Sequence, residues 1–352
     1  MSFSFLLFFG EKAWKLCSLG KIMWEFCRFG VTIPLVLPLY EYRDFLFYGL
    51  VGMSAIVLEK VCKSFGDVRA VDNLSFEVAA GSIYGFLGPN GAGKTTTIRM
   101  IMNIIGPDSG RIGIFGDGDM VRARERIGYM PEERGLYRKM TARKVLEYFG
   151  SIKGMSAGQL IEKVPWWLNR VGLAGWADKK VEELSRGMHQ KLQFAVTAIN
   201  EPELFILDEP FSGLDPVNLD MLKDIILEMR EQGKTVIFST HVMHEAEQLC
   251  DFILLINKGR AVIDGRVEDI RSQHSSGAVS VELEGNTSFI KELPMVTSME
   301  SQGSRLQISL RPGADTQQLL GELLGRVKVV AFEVKKPSLH EIFVKLVGPG
   351  NA

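Results

Sequence analysis

Residues 88–95 read Gly88-Pro-Asn-Gly-Ala-Gly-Lys-Thr95, a glycine-rich loop that follows the apolar run Ile83 to Leu87. A segment with helical spacing, Lys94 to Ile105, begins at its end. Glycines leave room for backbone N–H groups to wrap a phosphate, and the helix N-terminus adds a favourable dipole. The order of strand, loop and helix therefore predicts a phosphate-binding loop. In it, Lys94 reaches the β- and γ-phosphates and the Thr95 hydroxyl binds Mg²⁺.

An acidic pair, Asp208-Glu209, follows a second apolar run, Leu204 to Leu207. Ligands of an α/β sheet bind at the carboxyl ends of its strands, where this pair is predicted to lie. Asp208 is suited to hold Mg²⁺ through water, and Glu209 to deprotonate an attacking water. Alone, such a pair is more often a solvated turn, but together with the phosphate loop it indicates a hydrolytic site.

Between these two segments lies Leu184-Ser-Arg-Gly-Met-His-Gln190, at the predicted start of a helix. Ser185 can accept hydrogen bonds from the first-turn N–H groups, which makes it an N-cap. The same exposed N-terminus, with Gly187, can also bind an anion. Without the phosphate loop, a simple cap would be the preferred interpretation.

The segment LSRGMHQ resembles the LSGGQ-type signature of the ATP-binding-cassette (ABC) ATPases. The other motifs of that family appear in its order: Walker A at Gly88 to Thr95, Walker B at Leu204 to Glu209, a D-loop at Ser212 to Asp215, and a switch-histidine loop at Ser239 to His241. The resemblance implies an α/β fold, the RecA-like P-loop NTPase cassette with a helical subdomain.

The resemblance also implies a head-to-tail dimer that sandwiches ATP between the Walker A loop of one chain and the signature of the other. Ser185 and Gly187 then contact the γ-phosphate across the interface. His241 bonds the same phosphate, and Asp215 supports communication between the two sites.

Two positions depart from the family pattern. Phe65 stands where a Tyr often stacks on adenine, and it keeps the ring face while losing the hydroxyl. Glu132 stands where the family usually has the Q-loop Gln that touches Mg²⁺ and water and relays to the membrane subunit. A carboxylate there can also bind Mg²⁺, but it adds a negative charge.

The run Pro131 to Tyr137, PEERGLY, is similar to ABC ATPases that serve ABC-2-type exporters of drugs or ions. These proteins carry a C-terminal domain that ends much like Lys336 to Phe343 here. The resemblance thus favours export.

The expected site residues fall into three groups. The catalytic group is Glu209, His241 and Lys94. The nucleotide-binding group is Phe65, Gly88, Pro89, Asn90, Gly91, Ala92, Gly93, Lys94, Thr95, Thr96, Ser185, Gly187, Gln190 and Asp215. The metal-binding group is Thr95, Glu132 and Asp208.

Three regions are expected along the chain: an aromatic-rich extension over 1–53, a nucleotide-binding domain over 54–272 and a small α+β accessory domain over 273–350. Region 141–171 has a helical pattern, and Pro165 is expected to split it into two helices. The patterns 68–71 and 75–78 predict two short strands. Beyond residue 272, strands 279–283, 306–310 and 327–334 and helices 316–324 and 338–347 are predicted.

The extension contains 13 aromatic residues within its first 52 positions and fits neither a secretory signal nor a membrane span. We expect the working chain to begin at Met53, because the sequence from there leads directly into the first predicted strand of the cassette. A membrane-associated N-terminal helix is the alternative.

Composition narrows the choice of partners. A formal charge of -1 makes nucleic acid a poor candidate, because no basic excess is available to neutralise a phosphate backbone. The four cysteines, Cys17, Cys27, Cys62 and Cys250, show no zinc or disulfide spacing and suit a reducing cytoplasm. The expected ligands are ATP and Mg²⁺. The expected partners are a second copy and an integral-membrane permease, with the chain peripheral on the cytoplasmic face of the membrane.

Two other functions compete with that of a transporter ATPase. A soluble ABC protein acting on ribosomes or nucleic acid usually has two cassettes or a long coiled coil, and this chain shows neither. A non-hydrolysing regulatory subunit is disfavoured because Lys94, Asp208, Glu209 and His241 are all present.

Overall fold

The computed structural model describes residues 54–115, 120–133, 135–274, 277–302, 305–311 and 313–347. The aromatic extension expected over 1–53 and the expected start of the working chain at Met53 lie outside these residues. Within the described ranges, no helix is both long and apolar enough to cross a bilayer.

Strands and helices of the described residues alternate along most of the chain. The strands are β1 (Ser54–Phe65), β2 (Val68–Ala79), β3 (Ile83–Leu87), β4 (Ser109–Ile114), β5 (Ile127–Met130), β6 (Leu204–Asp208), β7 (Thr235–Thr240), β8 (Phe252–Asn257), β9 (Arg260–Arg266), β10 (Val279–Glu284), β11 (Val296–Gln302), β12 (Arg305–Leu310) and β13 (Lys328–Val334). The α-helices are α1 (Lys94–Ile101), α2 (Met120–Glu125), α3 (Ala142–Ile152), α4 (Ala157–Arg170), α5 (Arg186–Ala198), α6 (Pro216–Glu231), α7 (Met243–Leu249), α8 (Val267–Gln273), α9 (Thr316–Leu324) and α10 (Leu339–Val347).

A six-stranded sheet in the order β5-β6-β7-β3-β8-β9 forms the centre of the cassette. Its first five strands run parallel, and β9 pairs antiparallel with β8. Parallel pairing brings the carboxyl ends of β3, β5, β6 and β7 to one edge. The loops that follow these strands carry the sequence-predicted site residues.

Both faces of the central sheet are covered, which explains why its strands read as uninterrupted apolar runs. Along β6, Phe205 and Leu207 pack among helices α3 to α6, whereas Leu204 and Ile206 face the opposite core. That second core contains α1 and a three-stranded antiparallel sheet, β2-β1-β4. The predicted α/β cassette is confirmed.

Pro165 does not divide two helices, so that expectation was wrong: it lies inside α4. The break comes earlier, at Gly154, whose φ of 83° suits a residue without a side chain. Ser156 then caps α4 by accepting from Gln159 N, while the Gln159 side chain accepts from Ser156 N. This reciprocal capping box, readable as S-x-x-Q in the sequence, determines where α4 begins.

Two predicted boundaries also shift. Residues 68–71 and 75–78 belong to one strand, β2, because Asn73 takes a left-handed φ of 52° within the strand instead of ending it. Helix α1 stops at Ile101 and not at Ile105, since Asn103 is left-handed and the N–H groups of Asn103 and Ile104 bond to carbonyls of the last turn. Strands β4, β5, β9 and β11 were not predicted.

Residues 277–334 contain a four-stranded antiparallel sheet in the order β11-β12-β10-β13. Val279, Val281 and Ile308 of this sheet pack against Leu319 and Leu323 of α9. This sheet and helix have a core of their own, separate from the two cassette cores described above.

The closing helix α10 returns to the cassette. Leu339 and Ile342 are buried in an apolar cluster with Met243 and Ala246 of α7. The Leu339 N–H donates to the Glu247 carboxylate of that helix. The C-terminal segment is therefore anchored to the helix that follows the switch-histidine loop.

The contact of α10 with α7 predicts that shortening a buried side chain of α10 destabilises the protein more than shortening an exposed one. Ile342→Ala should lower the free energy of unfolding by about 2–5 kcal/mol, because it opens a cavity in a filled core. Val344→Ala, at a side chain that is 51% exposed, is the matched control and should change it by less than about 0.5 kcal/mol. Urea unfolding of both variants is the measurement, and equal losses would contradict the docked position of α10.

Candidate functional site

The phosphate loop is shaped by close backbone approach. Gly88 has a φ of 151°, and a Cβ built there would lie 2.2 Å from the carbonyl oxygen of Ile256. A Cβ on Gly93, whose φ is 108°, would lie 2.5 Å from the carbonyl oxygen of Ala70. Side chains at these two positions would force the loop away from its neighbours, so glycine is required at both. Pro89, Asn90 and Gly91 form the exposed part of the loop.

Lys94 lies under this loop. Its Nζ donates to the carbonyl oxygens of Gly88, at 2.7 Å, and Pro89, at 3.2 Å. Burial lowers the pKa of Lys94, and the negative charges of Glu209, Asp208 and Glu132 work against this effect. All three acids therefore act on one ammonium group, although they come from two segments, the end of β6 and the loop after β5.

Asp208 ends β6 as a fully buried carboxylate. Its Oδ1 accepts from the Ser239 hydroxyl and lies 3.4 Å from the Thr95 hydroxyl. Its Oδ2 is buried without a hydrogen-bond partner among the described residues. Since a buried carboxylate oxygen needs a donor or a cation, the hydroxyl of Thr95 and the free oxygen of Asp208 fit a Mg²⁺ ion.

Glu209 follows with a left-handed backbone, φ 49°, which is unusual for a residue with a side chain. Its N–H donates to the Ser239 hydroxyl at 3.0 Å, and its Oε1 lies 3.0 Å from Nδ1 of His241. A carboxylate can only accept, so Nδ1 carries the proton in this contact. The structure thus brings together the predicted base and the predicted switch histidine, and Ser239 supports both neighbouring acids.

The signature segment forms a second surface. Ser185 caps α5 by accepting from Met188 N at 3.3 Å, as its sequence pattern predicts. Arg186 donates to the Ser212 hydroxyl at 3.1 Å, and a Cβ on Gly187 would lie 3.4 Å from the carbonyl oxygen of Gly213. The contacts of this segment therefore lead to the D-loop residues and leave Ser185 exposed.

Gln190 and Asp215 were expected to bind nucleotide, and their side chains are engaged otherwise within this chain. Gln190 is buried, and its amide donates to the carbonyl oxygens of Glu209 and Pro210. Asp215 caps α6 by accepting from Asn218 N at 3.0 Å. This backbone donor holds the pKa of Asp215 below its usual range.

Glu132 is exposed in the loop that follows β5. Gln193 of α5, a residue that the sequence reasoning passed over, donates from its amide to the carbonyl oxygens on either side of it, those of Pro131 and Glu133. The only sequence feature that could have indicated Gln193 is its spacing, three residues after Gln190 on the same helix.

Phe65 lies at the end of β1 with 52% of its surface exposed, and Lys63 Nζ is 5.6 Å from its ring centre. The chain then continues into β2 and reaches Ala70, which packs against Gly93 of the phosphate loop. The exposed ring of Phe65 therefore begins the segment that leads to the phosphate loop.

The chain is similar to known proteins both in its nucleotide-binding part and in its C-terminal region. The sequence profile of the ABC transporter family matches residues 71–212, and that of the DrrA1-3-like ATP-binding protein C-terminal domain matches residues 265–347. An uncharacterized ABC transporter ATP-binding protein of Bacillus subtilis, YhaQ, is 36% identical over 83% of this chain and 98% of its own length. The Nod factor export ATP-binding protein I of a Rhizobium species is 38% identical over 84% of this chain and 97% of its own length.

A solved structure of the ATP-binding subunit of an ABC transporter has a TM-score of 0.58 and 29% identity, and it covers 62% of this chain and 92% of its own. The chain belongs to the ATP-binding subunits of ABC transporters, the ATPases that drive transport. ATP is therefore its nucleotide, and a membrane transporter is the complex in which it works.

The double role of Ser239 predicts a loss of turnover without loss of fold. Ser239→Ala removes a donor to Asp208 and an acceptor for the Glu209 N–H, and a hydrogen bond to a charged group contributes about 1.5–3 kcal/mol. We expect steady-state ATP turnover to fall by about tenfold or more. The measurement is turnover beside the thermal midpoint, with Ser280→Ala, a buried serine of the accessory domain, as control. Equal turnover in both variants would contradict the role of Ser239 in supporting Asp208 and Glu209.

Proposed function

We propose that this chain powers export through a separate membrane-spanning subunit. The observation that supports this most directly is the combination of a hydrolytic site with a C-terminal region that matches the DrrA1-3-like profile. Similarity to a protein named for Nod factor export points in the same direction. The chain works at the cytoplasmic face of the membrane, held there by its partner.

Within the proposed site each residue has a distinct task. The backbone N–H groups of the phosphate loop, other than at Pro89, which has none, bind the phosphates of ATP together with Lys94. Thr96 lies in the same first helical turn, and Phe65 stacks on the adenine. Glu209 accepts a proton from water as the water oxygen bonds to the γ-phosphorus and the bond to the β-phosphate oxygen breaks. His241, whose Nδ1 lies 3.0 Å from Glu209, orients this base, and when its Nε2 also carries a proton it donates to the γ-phosphate.

Thr95, Asp208 and Glu132 hold Mg²⁺, which neutralises negative charge on the phosphates when bound. Among the described residues, no three His, Cys, Asp or Glu side chains are grouped to hold a metal by themselves. A hydroxyl and carboxylates combined with phosphate oxygens are the ligands that Mg²⁺ prefers. The buried, unpartnered Oδ2 of Asp208 supports this assignment.

Two copies complete the site between them. Ser185 and Gly187 lie at the N-terminus of α5, a place suited to anions, and their contacts lead away from the phosphate loop of the same chain. A second copy can therefore supply its ATP to this surface in a head-to-tail dimer. Gln190 and Asp215 contribute by positioning the loops beside it.

The membrane partner is proposed to contact the helical subdomain. The loop after Glu132 leads into this subdomain, where Tyr137, Tyr148, Ile161 and Trp166 are exposed. Tyr137 and Tyr148 pack edge to face with ring centres 5.3 Å apart. Exposed apolar and aromatic side chains of this kind mark a surface for protein contact.

The cassette is proposed to span residues 54–272 and the accessory domain residues 273–350. The separate core around Val279 and Leu319 supports this division. Helix α10 belongs to the accessory segment in sequence, but it packs on the cassette.

Replacement of the proposed base tests the reaction. Glu209→Gln keeps the shape of the side chain but cannot take a proton, so turnover should fall by at least about a hundredfold while ATP still binds. Dimers should then accumulate with ATP and Mg²⁺. The measurements are turnover, nucleotide binding and size analysis, and near-normal hydrolysis in this variant would exclude the role of Glu209.

A mixing experiment tests the shared site. Ser185→Arg blocks the signature surface, Lys94→Ala disables the phosphate loop, and each variant alone should be inactive. An equal mixture should recover about a quarter of wild-type turnover, because half of the random dimers keep one intact composite site.

Thermal midpoints of both variants control for folding, since Ser185 also caps α5. A mixture that is no more active than its components would count against a shared site.

A further inference from the structure

Two buried glutamines lie on one face of helix α5, which begins at the signature. Gln190 and Gln193 are each 4% exposed, and residues three apart on a helix are neighbours on its surface. Glutamine is seldom buried this deeply, because both ends of its amide then need partners. We refer to these two residues as the glutamine pair.

Each member of the pair uses one amide nitrogen to hold a different loop. Gln190 Nε2 donates to the carbonyl oxygens of Glu209, at 3.1 Å, and Pro210, at 2.9 Å. Gln193 Nε2 donates to the carbonyl oxygens of Pro131, at 2.7 Å, and Glu133, at 3.3 Å. The same chemical link is thus made twice.

The two loops held in this way follow neighbouring parallel strands, β6 and β5. One carries Glu209, the proposed base, and the other carries Glu132, a proposed Mg²⁺ ligand. The glutamine pair therefore connects one helix to the two acidic loops of the same chain.

Simple stabilisation of the helix does not account for Gln193. Its Oε1 is buried without a hydrogen-bond partner in the described part of the chain, which is unfavourable by about 1–3 kcal/mol. A Leu or Met of similar size would fill the same space without that penalty. The benefit of a glutamine here must come from its two N–H donors, which are directed at the loop that carries Glu132.

We propose that the glutamine pair positions Glu132 and Glu209 relative to the signature helix, so that a shift of this helix moves both acids together. The N-terminus of α5 is the surface that meets the nucleotide of the second copy, and the pair lies one to two turns further along the same helix. Occupation of that surface is thereby transmitted to the chain's own acids. This inference rests on the proposed function; neither glutamine touches ATP, and both are positioning residues.

A double-mutant cycle tests the link between Gln193 and Glu132. Gln193→Met keeps the length of the side chain but removes the donors, and Glu132→Ala removes the carboxylate through which Gln193 is proposed to act. Gln193→Met alone should lower kcat by about fivefold to tenfold, the lower end of the range expected for two hydrogen bonds. It should also raise the Mg²⁺ concentration at half-maximal turnover, while KM for ATP changes less than about twofold. In the Glu132→Ala background, Gln193→Met should have no further effect.

Gln190→Met serves as the matched comparison, because Gln190 holds the other loop. Because Gln190 does not act through Glu132, the fold-losses in kcat of Gln190→Met and Glu132→Ala should multiply in the double variant. Gln318→Met, the same change on the exposed face of α9, should leave turnover unchanged. Gln193→Asn, which keeps the amide but shortens its reach, gives a second test if Gln193→Met lowers the thermal midpoint.

The outcomes distinguish failure of the positioning role of Gln193 from failure of the proposed function. Equal effects of Gln193→Met with and without Glu132 would overturn the positioning role and leave Gln193 as a structural residue. A wild-type chain that hydrolyses no ATP under conditions in which it dimerises would instead refute the proposed function.

Discussion

The buried carboxylate of Asp208 is the interaction on which the rest of the site depends. A negative charge without solvent is strongly unfavourable unless donors or cations surround it. Here the Ser239 hydroxyl comes from β7, Thr95 comes from the helix that follows β3, and Lys94 adds a positive charge nearby. The ends of three strands must therefore stay together. The close packing of Gly88 and Gly93 serves the same purpose, because it fixes where Lys94 and Thr95 begin their helix.

The site residues that sequence reasoning found are those whose chemistry is local. The phosphate loop, the N-cap Ser185 and the acidic pair after β6 each follow from a few adjacent residues, and the structure has them as predicted. Pro165 was misplaced because proline was given more weight than the capping box at Ser156, although a good cap determines a helix start more firmly. Strands such as β11 were missed because edge strands of a small sheet carry little apolar alternation.

Contacts between segments that are distant in sequence could not be predicted from the sequence. Gln193 and Pro131 are 62 residues apart, and nothing in either segment shows that they meet. The amide of Gln190 was assigned to nucleotide because it lies in the signature, whereas the fold turns that side chain inward. A helix has one buried and one exposed face, and single-sequence patterns identify the face of a polar residue poorly when it is buried for its hydrogen bonds.

The docking of α10 on α7 has a consequence for how the molecule is made. Leu339 and Glu247 are 92 positions apart. The face of α7 that contacts α10 therefore stays without this partner until residues 339–347 have been synthesised. Leu339 and Ile342 complete an apolar cluster in which Met243 and Ala246 already lie with Leu87 and Ile253 of the cassette. Contacts between such distant residues form late in folding, because a long loop must close first. We therefore expect the docking of α10 on α7 to follow the formation of the central sheet.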